Sequence, residues 1–194
     1  MKKILSTILS LTAIAAVCGA VLALVDGTTR DAIAQTREKA ALAAAAAVMP
    51  SGVVETGKNV FKDGAGAETV IYTGYDAAGR PAGYALAGSD PGGYGGDIVL
   101  MAGFEADART VVSYKKLVAT ETPGLGMNLA SPEFSAQFAG KDARGLKVKK
   151  DGGEIEAITA ATITSRAVCR AIGDAQKKLA AALAGAGKPP ADKR

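Results

Sequence analysis

Residues 97–119, DIVLMAGFEADARTVVSYKKLVA, are the stretch that decides the fold. Two runs rich in β-branched and aromatic side chains, at 97–104 and 110–119, flank the polar segment 105–108. Strand-forming runs separated by a short turn-forming segment are typical of a β-hairpin. The sequence therefore predicts a β-sheet in the middle of the chain.

Further strands are predicted upstream of this hairpin, at residues 53–60, 68–75 and 83–87. The joints between strands are rich in glycine, aspartate and proline, which favour turns. Short connections of this kind join neighbouring antiparallel strands, so we expect a mostly antiparallel sheet. The predicted joints lie at residues 63–64, 76–79 and 89–96.

Helices are predicted on the C-terminal side of the sheet. Ser131, followed by a proline, is typical of a helix cap, and this short helix should end at Phe138. A short strand is expected at 146–149, and a long helix from near Ser165 to about residue 184. Strands followed by helices indicate an α+β domain of about 130 residues.

Composition excludes several classes of protein. The 194 residues include no histidine, so Ser-His-Asp triads, Cys–His dyads and the common zinc-site patterns are ruled out. Two cysteines are too few to hold an iron–sulfur cluster alone. The net charge of +4 comes largely from the chain ends, without a clustered basic face, so nucleic acid is not an expected partner.

Residues 4–25 contain no charged side chain and predict a membrane anchor. About 20 apolar residues span the hydrocarbon core of a bilayer as a helix. Lys2 and Lys3 precede this run, so the positive-inside rule places the N-terminus in the cytoplasm and the following domain outside. A cleaved signal peptide, with residues 32–34 as its cleavage box, is the alternative, but its apolar run is typically shorter, ~7–15 residues.

The residues that follow the anchor are strong helix formers and predict a helical stalk. Thr28 or Thr29 is expected to cap this helix, and Pro50 is expected to end it. The alanine run at 43–47 suits either close packing or a plain spacer, and the spacer is the preferred interpretation. The predicted organisation is thus an anchor, a stalk, a folded domain and a disordered tail, at residues 1–27, 28–50, 51–187 and 188–194.

A cluster of hydroxyl side chains precedes the long C-terminal helix, in the segment EAITAATITSR at 156–166. Unpaired N–H groups and the dipole at a helix N-terminus attract phosphate, and small alanines allow a ligand to approach the backbone. The segment therefore suits a phosphate site, and a plain helix cap at Thr164 or Ser165 is the alternative. The hydroxyl residues are Thr159, Thr162, Thr164 and Ser165.

A second candidate segment, ETPGLG at 121–126, directly follows the last predicted strand. Two glycines around a single leucine form a tight loop that can lie close to a flat ligand. Alone, such a loop is equally an ordinary connection between a strand and a helix. Its significance depends on what accompanies it.

Together the two segments resemble the FMN-binding G subunit of the Rnf electron-transport complex, a relative of the C subunit of the sodium-pumping quinone reductase. The flavin attachment motif of that family, Asp-x-x-Ser/Thr-Gly-Ala-Thr, stands here as EAITAAT at 156–162. Glu156 replaces the usual aspartate, and Ala160 replaces the usual glycine. The ETPGLG loop matches the family's loop near the flavin ring, and GYGGDI at 93–98 resembles its approach to a central strand.

This resemblance implies that FMN is the cofactor and that Thr162 carries it through a phosphoester. Thr159, Thr164 and Ser165 are the implied phosphate or ring contacts. No metal ligand and no catalytic residue of the chain's own is implied, because the flavin supplies the redox chemistry. The other residues implied to bind the cofactor are Ala160, Ala161, Glu121, Thr122, Gly124, Leu125 and Gly126.

The role implied by the resemblance is electron transfer within a membrane-bound, ion-translocating ferredoxin:NAD oxidoreductase. The chain would be a subunit of that translocase without an independent catalytic site. Its partners would be the other membrane subunits, a flavin transferase for maturation, and the membrane through residues 4–25. The expected location is the bacterial cytoplasmic (inner) membrane, crossed once, with the FMN domain on the outer face.

Two other interpretations remain open. The chain is also compatible with a flavoprotein subunit of a related quinone reductase. A flavin-free, membrane-anchored binding or assembly module, in which the hydroxyl cluster only caps a helix, is the third.

Overall fold

The computed structural model describes residues 2–62 and 68–185. Within these residues an N-terminal helix, a five-stranded sheet and a long C-terminal helix are the main elements. The α+β arrangement predicted from the sequence is therefore confirmed. The predicted joint at 63–64 and the predicted tail at 188–194 lie outside the described residues.

Helix α1, Lys2–Val48, is long and apolar enough to cross a membrane, with a mean hydropathy of 2.6 in its most apolar part. It continues through the expected junction between anchor and stalk. Thr28 and Thr29 donate their hydroxyls to the carbonyl of Val25, at 3.0 and 2.7 Å, as residues inside a helix do. The predicted helix cap at these threonines is therefore wrong, because the chain has no turn there to cap.

The sheet is antiparallel throughout, and its spatial order follows the order of the chain. The predicted strands are confirmed, with one marked extension. The third strand continues to Asp90 because Ser89 and Asp90 pair with Val99 and Ile98, so the connecting loop begins later than predicted. The strands are β1 Glu55–Lys62, β2 Glu68–Tyr75, β3 Pro81–Asp90, β4 Ile98–Glu105 and β5 Val111–Val118.

The end of α1 packs on the sheet. Ala44, Ala45 and Val48 are at most 3% exposed and share a buried cluster with Tyr72 and Met101. Small side chains let the helix lie close to the strands, so the apolar contact area is buried without large residues. The spacer interpretation of the alanine run is wrong for this stretch, which is part of the domain core.

The larger core lies between the sheet and helix α3, Thr162–Gly185. Val168, Ile172 and Leu179 of this helix are all fully buried. The helix begins three residues before the predicted start near Ser165, because the Ser165 N–H already donates to the Ala161 carbonyl at 3.0 Å. This early start brings the hydroxyl cluster into the first turn of the helix.

Two shorter elements complete the domain. Helix α2, Pro132–Ser135, begins as predicted: Ser131 Oγ accepts the Phe134 N–H at 3.3 Å, and a 3₁₀ turn continues to Phe138. The strand predicted at 146–149 is wrong. Val148 forms only an isolated bridge with Ile155, because the chain turns immediately after it in a short 3₁₀ segment.

Candidate functional site

The loop at residues 156–162, which leads into α3, is held at both ends by side chains. Gln137 binds Glu156 twice, accepting its N–H at 2.7 Å and donating to its carbonyl at 3.3 Å. Ser165 Oγ accepts the Ile158 N–H at 2.9 Å and donates to the Ala161 carbonyl at 3.0 Å. These bonds fix the loop against the start of the helix.

Ala160 lies at the tip of this loop in the left-handed conformation, with φ of +58°. Residues other than glycine adopt this region at a cost of roughly 1–2 kcal/mol, because Cβ approaches the following carbonyl. The position corresponds to the glycine of the attachment motif. The backbone geometry therefore gives a physical reason for that glycine, and the alanine of this chain is strained there.

The four hydroxyls of the segment divide into two pairs. Thr159 is exposed and Thr162 is half-buried, so both are reachable from outside. Thr164 and Ser165 are 1% and 0% exposed and lie within the first turn of α3. The interpretation of either one as the helix cap is therefore wrong.

Thr162, the first residue of α3, has a cation beside its hydroxyl. Lys150 Nζ lies 3.4 Å from Thr162 Oγ1 and can donate to it. The neighbouring cations are occupied: Lys149 pairs with Glu156, and the Arg166 guanidinium binds Asp151 at 2.6 Å and lowers the pKa of that carboxyl. Within the described residues Lys150 pairs with no carboxylate, so its charge is available at the Thr162 hydroxyl.

Glu121, at the start of the ETPGLG loop, joins three segments of the site. Its side chain is 6% exposed. One carboxylate oxygen accepts the Gly95 N–H at 3.3 Å, and the other accepts the Thr164 hydroxyl at 2.9 Å. A single buried group thus connects α3, the ETPGLG loop and the loop GYGG at 93–96, here called the glycine–tyrosine loop.

Two glycines make room for this carboxylate. A Cβ on Gly126 would lie 2.3 Å from one oxygen of Glu121, and a Cβ on Gly93 would lie 2.9 Å from the other. Real Cβ atoms do not approach so closely without displacement. A side chain at Gly126 would displace the carboxylate, and at Gly93 the nearest atom to an added Cβ is the backbone oxygen of Gly96, at 2.3 Å.

The rest of the ETPGLG loop folds back on itself and presents Leu125 to the outside. The N–H groups of Leu125 and Met127 both donate to the Thr122 carbonyl, at 3.1 and 3.2 Å. Asn128 closes the turn by donating to the Gly124 carbonyl at 3.0 Å. Leu125 remains 42% exposed at the tip.

Two adjoining cavities lie at these loops, with volumes of about 550 and 540 Å³. Tyr94, Leu125 and Ile163 give the first an apolar lining at its exposed edge, while Glu121 and Thr162 supply polar groups. An apolar lining with a few placed polar groups is the usual character of a cofactor site. Of the predicted cofactor-binding residues, Ser165 lines neither cavity. Each of the others lines at least one of the two cavities: Glu121, Thr122, Gly124, Leu125, Gly126, Thr159, Ala160, Ala161, Thr162 and Thr164.

Sequence reasoning missed two residues that shape the site. Lys150 lies twelve positions before the hydroxyl that it faces. Gln137, in the turn after α2, contacts Glu156 in the loop at 156–162, nineteen positions away. Neither stands in a motif, and only the tertiary contact with Thr162 distinguishes Lys150 from the other lysines of its segment.

The fold and the two-loop site define an FMN-binding domain, and residues 93–177 match that domain family. Over 177 residues the chain is 32% identical to the G subunit of the ion-translocating oxidoreductase complex from Methanosarcina acetivorans, covering 90% of this chain and 93% of the relative. The chain belongs to this family of G subunits. The resemblance indicated by the sequence motifs is thereby confirmed.

Two further similarities extend the comparison. Over 90 residues the chain is 39% identical to the G subunit of the proton-translocating ferredoxin:NAD(+) oxidoreductase complex of Clostridium ljungdahlii, covering 45% of this chain and 48% of the relative. The crystal structure of the C subunit of Na(+)-translocating NADH-quinone reductase from Parabacteroides distasonis superposes with a TM-score of 0.48. It is 24% identical and covers 59% of this chain and 62% of that chain.

Proposed function

We propose that this protein is the flavin-carrying electron-transfer subunit of a membrane-bound, ion-translocating ferredoxin:NAD oxidoreductase. In this proposal FMN is joined covalently to Thr162 by a phosphoester, after transfer by a separate flavin transferase. The proposal rests on family membership and on one observation: Thr162 presents a reachable hydroxyl at the cavity, beside an unpaired cation and at a helix N-terminus.

The residues present fit the cofactor. A flat aromatic ring needs apolar contact, which Tyr94, Leu125 and Ile163 offer at the cavity edge. A phosphate at Thr162 would meet Lys150 and the unpaired N–H groups of the first turn of α3. The bound flavin would supply reversible electron transfer, and the chain would supply position and electrostatics.

The buried members of the hydroxyl cluster receive a different task in this proposal. Thr164 is bound to Glu121, and Ser165 is bound within the loop, so both hold the site rather than contact the phosphate. Thr159 lines the second cavity and is the alternative attachment residue. The choice between Thr159 and Thr162 is directly testable.

The test is production of the full chain together with a flavin transferase, followed by denaturing electrophoresis. We expect a fluorescent flavin band, and a flavin phosphate mass on the tryptic peptide spanning residues 151–166, fragmenting at Thr162. Thr162→Ala should abolish the band, whereas the matched Thr159→Ala should retain it. The reverse pattern would move the attachment to Thr159.

A native chain without any flavin band would contradict covalent attachment, because the denaturing gel detects only flavin that is covalently bound. Absence of flavin from the natively purified protein as well would favour the membrane-anchored assembly module. Thermal unfolding of Thr162→Ala serves as the control, because removal of one half-buried threonine should leave the fold intact.

A further inference from the structure

Glu121 is a buried carboxylate, 6% exposed, and within the described residues no lysine or arginine forms an ion pair with it. Burying a charge in this way is unfavourable unless hydrogen bonds compensate. Its two compensating donors are the Gly95 N–H and the Thr164 hydroxyl.

These two bonds explain how the charge is tolerated, and the cavity shows where its field acts. Glu121 lines the 550 Å³ cavity together with Tyr94, Leu125 and Ile163. Among the described residues that line this cavity, it is the single one with a charged side chain. Charge interactions across a poorly polar space are stronger than in water, so the carboxylate affects anything placed there.

Two sources of positive charge lie near the same cavity. The N-terminus of α3 contributes about +0.5 of an elementary charge, and Lys150 Nζ lies 3.4 Å from the hydroxyl of Thr162, which lines the cavity. Both offset part of the field of the carboxylate. The contribution of Glu121 itself is negative, so its removal makes the field in the cavity more positive.

We propose that Glu121 lowers the reduction potential of a flavin held in this cavity. Reduction of a flavin adds electrons to the ring, and the buried carboxylate opposes the negative charge that they bring. Glu121 acts through its field and through the position of both loops, without contacting a substrate. This inference rests on the proposed function, in that FMN is taken to occupy the cavity.

The test is a potentiometric titration of the purified, flavin-loaded full chain, with dithionite as reductant. Glu121→Gln removes the charge and keeps the shape of the side chain, and we expect a more positive midpoint potential. Glu154→Gln is the matched control: it removes one carboxylate charge from a residue that lines neither cavity of the site, so its potential should stay close to native. An unchanged potential in Glu121→Gln, or an equal shift in both variants, would overturn the proposal.

Thermal unfolding of the flavin-free variants supplies a second measurement. Glu121→Gln replaces two charge-assisted hydrogen bonds with neutral ones, so it should lower the melting temperature, whereas Glu154→Gln breaks an exposed pair and should leave it nearly unchanged. If Glu121→Gln does not accept flavin, Ile163→Lys is used instead. Ile163 is 48% exposed at the same cavity, and a cation there should also raise the potential. No shift would show that charge in this cavity does not reach the ring.

The outcomes separate this inference from the proposed function. Flavin attached at Thr159 would refute the assignment of Thr162 and leave the role of Glu121 measurable. Flavin attached at Thr162 with a potential indifferent to Glu121 would refute this inference alone. A native chain that takes up no flavin would refute both.

Discussion

At the scale of the residue, Ala160 has a strained backbone conformation that a substitution by glycine would relieve. Its φ of +58° lies in the region that favours glycine, and its side chain is exposed. Replacement by glycine removes a steric cost of roughly 1–2 kcal/mol from the folded state. Glycine also gives the unfolded chain more conformational freedom, which lowers the free energy of unfolding by about 0.4–1 kcal/mol. The two effects differ in sign, and the conformational strain is the larger.

We therefore expect Ala160→Gly to raise the free energy of unfolding by about 0.5–1 kcal/mol. Urea denaturation of the flavin-free protein in detergent measures this change. Ala157→Gly is the matched control in the same loop, where the backbone has no positive φ, and it should lower stability instead. Equal effects from the two substitutions would show that the left-handed geometry is not the cause.

The same residue bears on maturation. In the proposed function a flavin transferase acts on the segment at 156–162, and Ala160→Gly restores the residue of the attachment motif. In the proposed function the extent of flavin attachment should rise or stay the same in this variant. A clear fall would mean that the shape of the loop, and not its identity with the motif, is recognised.

At the scale of the element, a bidentate salt bridge connects α3 to β3. The Arg170 guanidinium donates to both oxygens of Asp90 at 2.8 Å, and the Ser89 N–H donates to Asp174 at 3.0 Å. The hydrogen bond from Arg170 is the main reason that the pKa of Asp90 lies below its usual value of 3.8. The pair fixes the register of α3 against the C-terminal end of β3, the central strand, which leads to the glycine–tyrosine loop.

Asp90→Asn should lower stability by about 1 kcal/mol near neutral pH, the upper range for a pair of this kind. Because the pKa of Asp90 is depressed by folding, its contribution is complete above pH 4 and is lost as the pH falls through the folded-state pKa. The difference between native and variant in urea denaturation should therefore shrink below pH 4. Glu154→Gln, which breaks an exposed pair with Lys141, is the control and should change stability by less than about 0.5 kcal/mol.

If the difference in free energy of unfolding between native and Asp90→Asn stayed constant down to the acid transition, the stabilising role of the Asp90 charge would be contradicted. That result would mean that the packing of the residue matters and its charge does not. The neighbouring hydrogen bond from the Ser89 N–H to Asp174 does not involve Asp90, so it should hold the middle of α3 to β3 in both proteins.

At the scale of the whole molecule, a long apolar helix accompanies a folded domain. Lys2 and Lys3 before the apolar run favour a cytoplasmic N-terminus, which would put the domain on the outer face. The two native cysteines suit a labelling test of this orientation. Cys169 is 3% exposed and its burial raises the pKa of the thiol to about 12, so it carries little reactive thiolate, and Cys18 lies within the apolar run.

We expect the variant Ala77→Cys, with its new thiol in an exposed turn of the domain, to react with a membrane-impermeant maleimide in intact spheroplasts. The native protein, treated in the same way, reports the background from Cys18 and Cys169. Labelling that requires lysis of the cells would place the domain in the cytoplasm and contradict the proposed orientation.

Local pattern was enough for most of the fold, and it failed where distant segments intervene. The five strands were visible because β-branched runs and turn residues act within a few positions of each other. The alanine run looked like a spacer because alanine favours any helix, and its burial depends on strands that lie far along the chain. The start of α3 was placed too late because the hydroxyls resembled caps, whereas the backbone bond to Ala161 begins the helix earlier.

For the site, the sequence by itself determined which segments form the candidate site: the hydroxyl cluster at 156–166 and the ETPGLG loop at 121–126. Their residue types are a local property, set by what a phosphate and a flat ring require. Only the tertiary structure decided what each residue does, because burial and partners arise from segments dozens of positions apart. It buried Thr164 against Glu121, left Thr162 reachable beside Lys150, and packed glycines of two loops around one carboxylate.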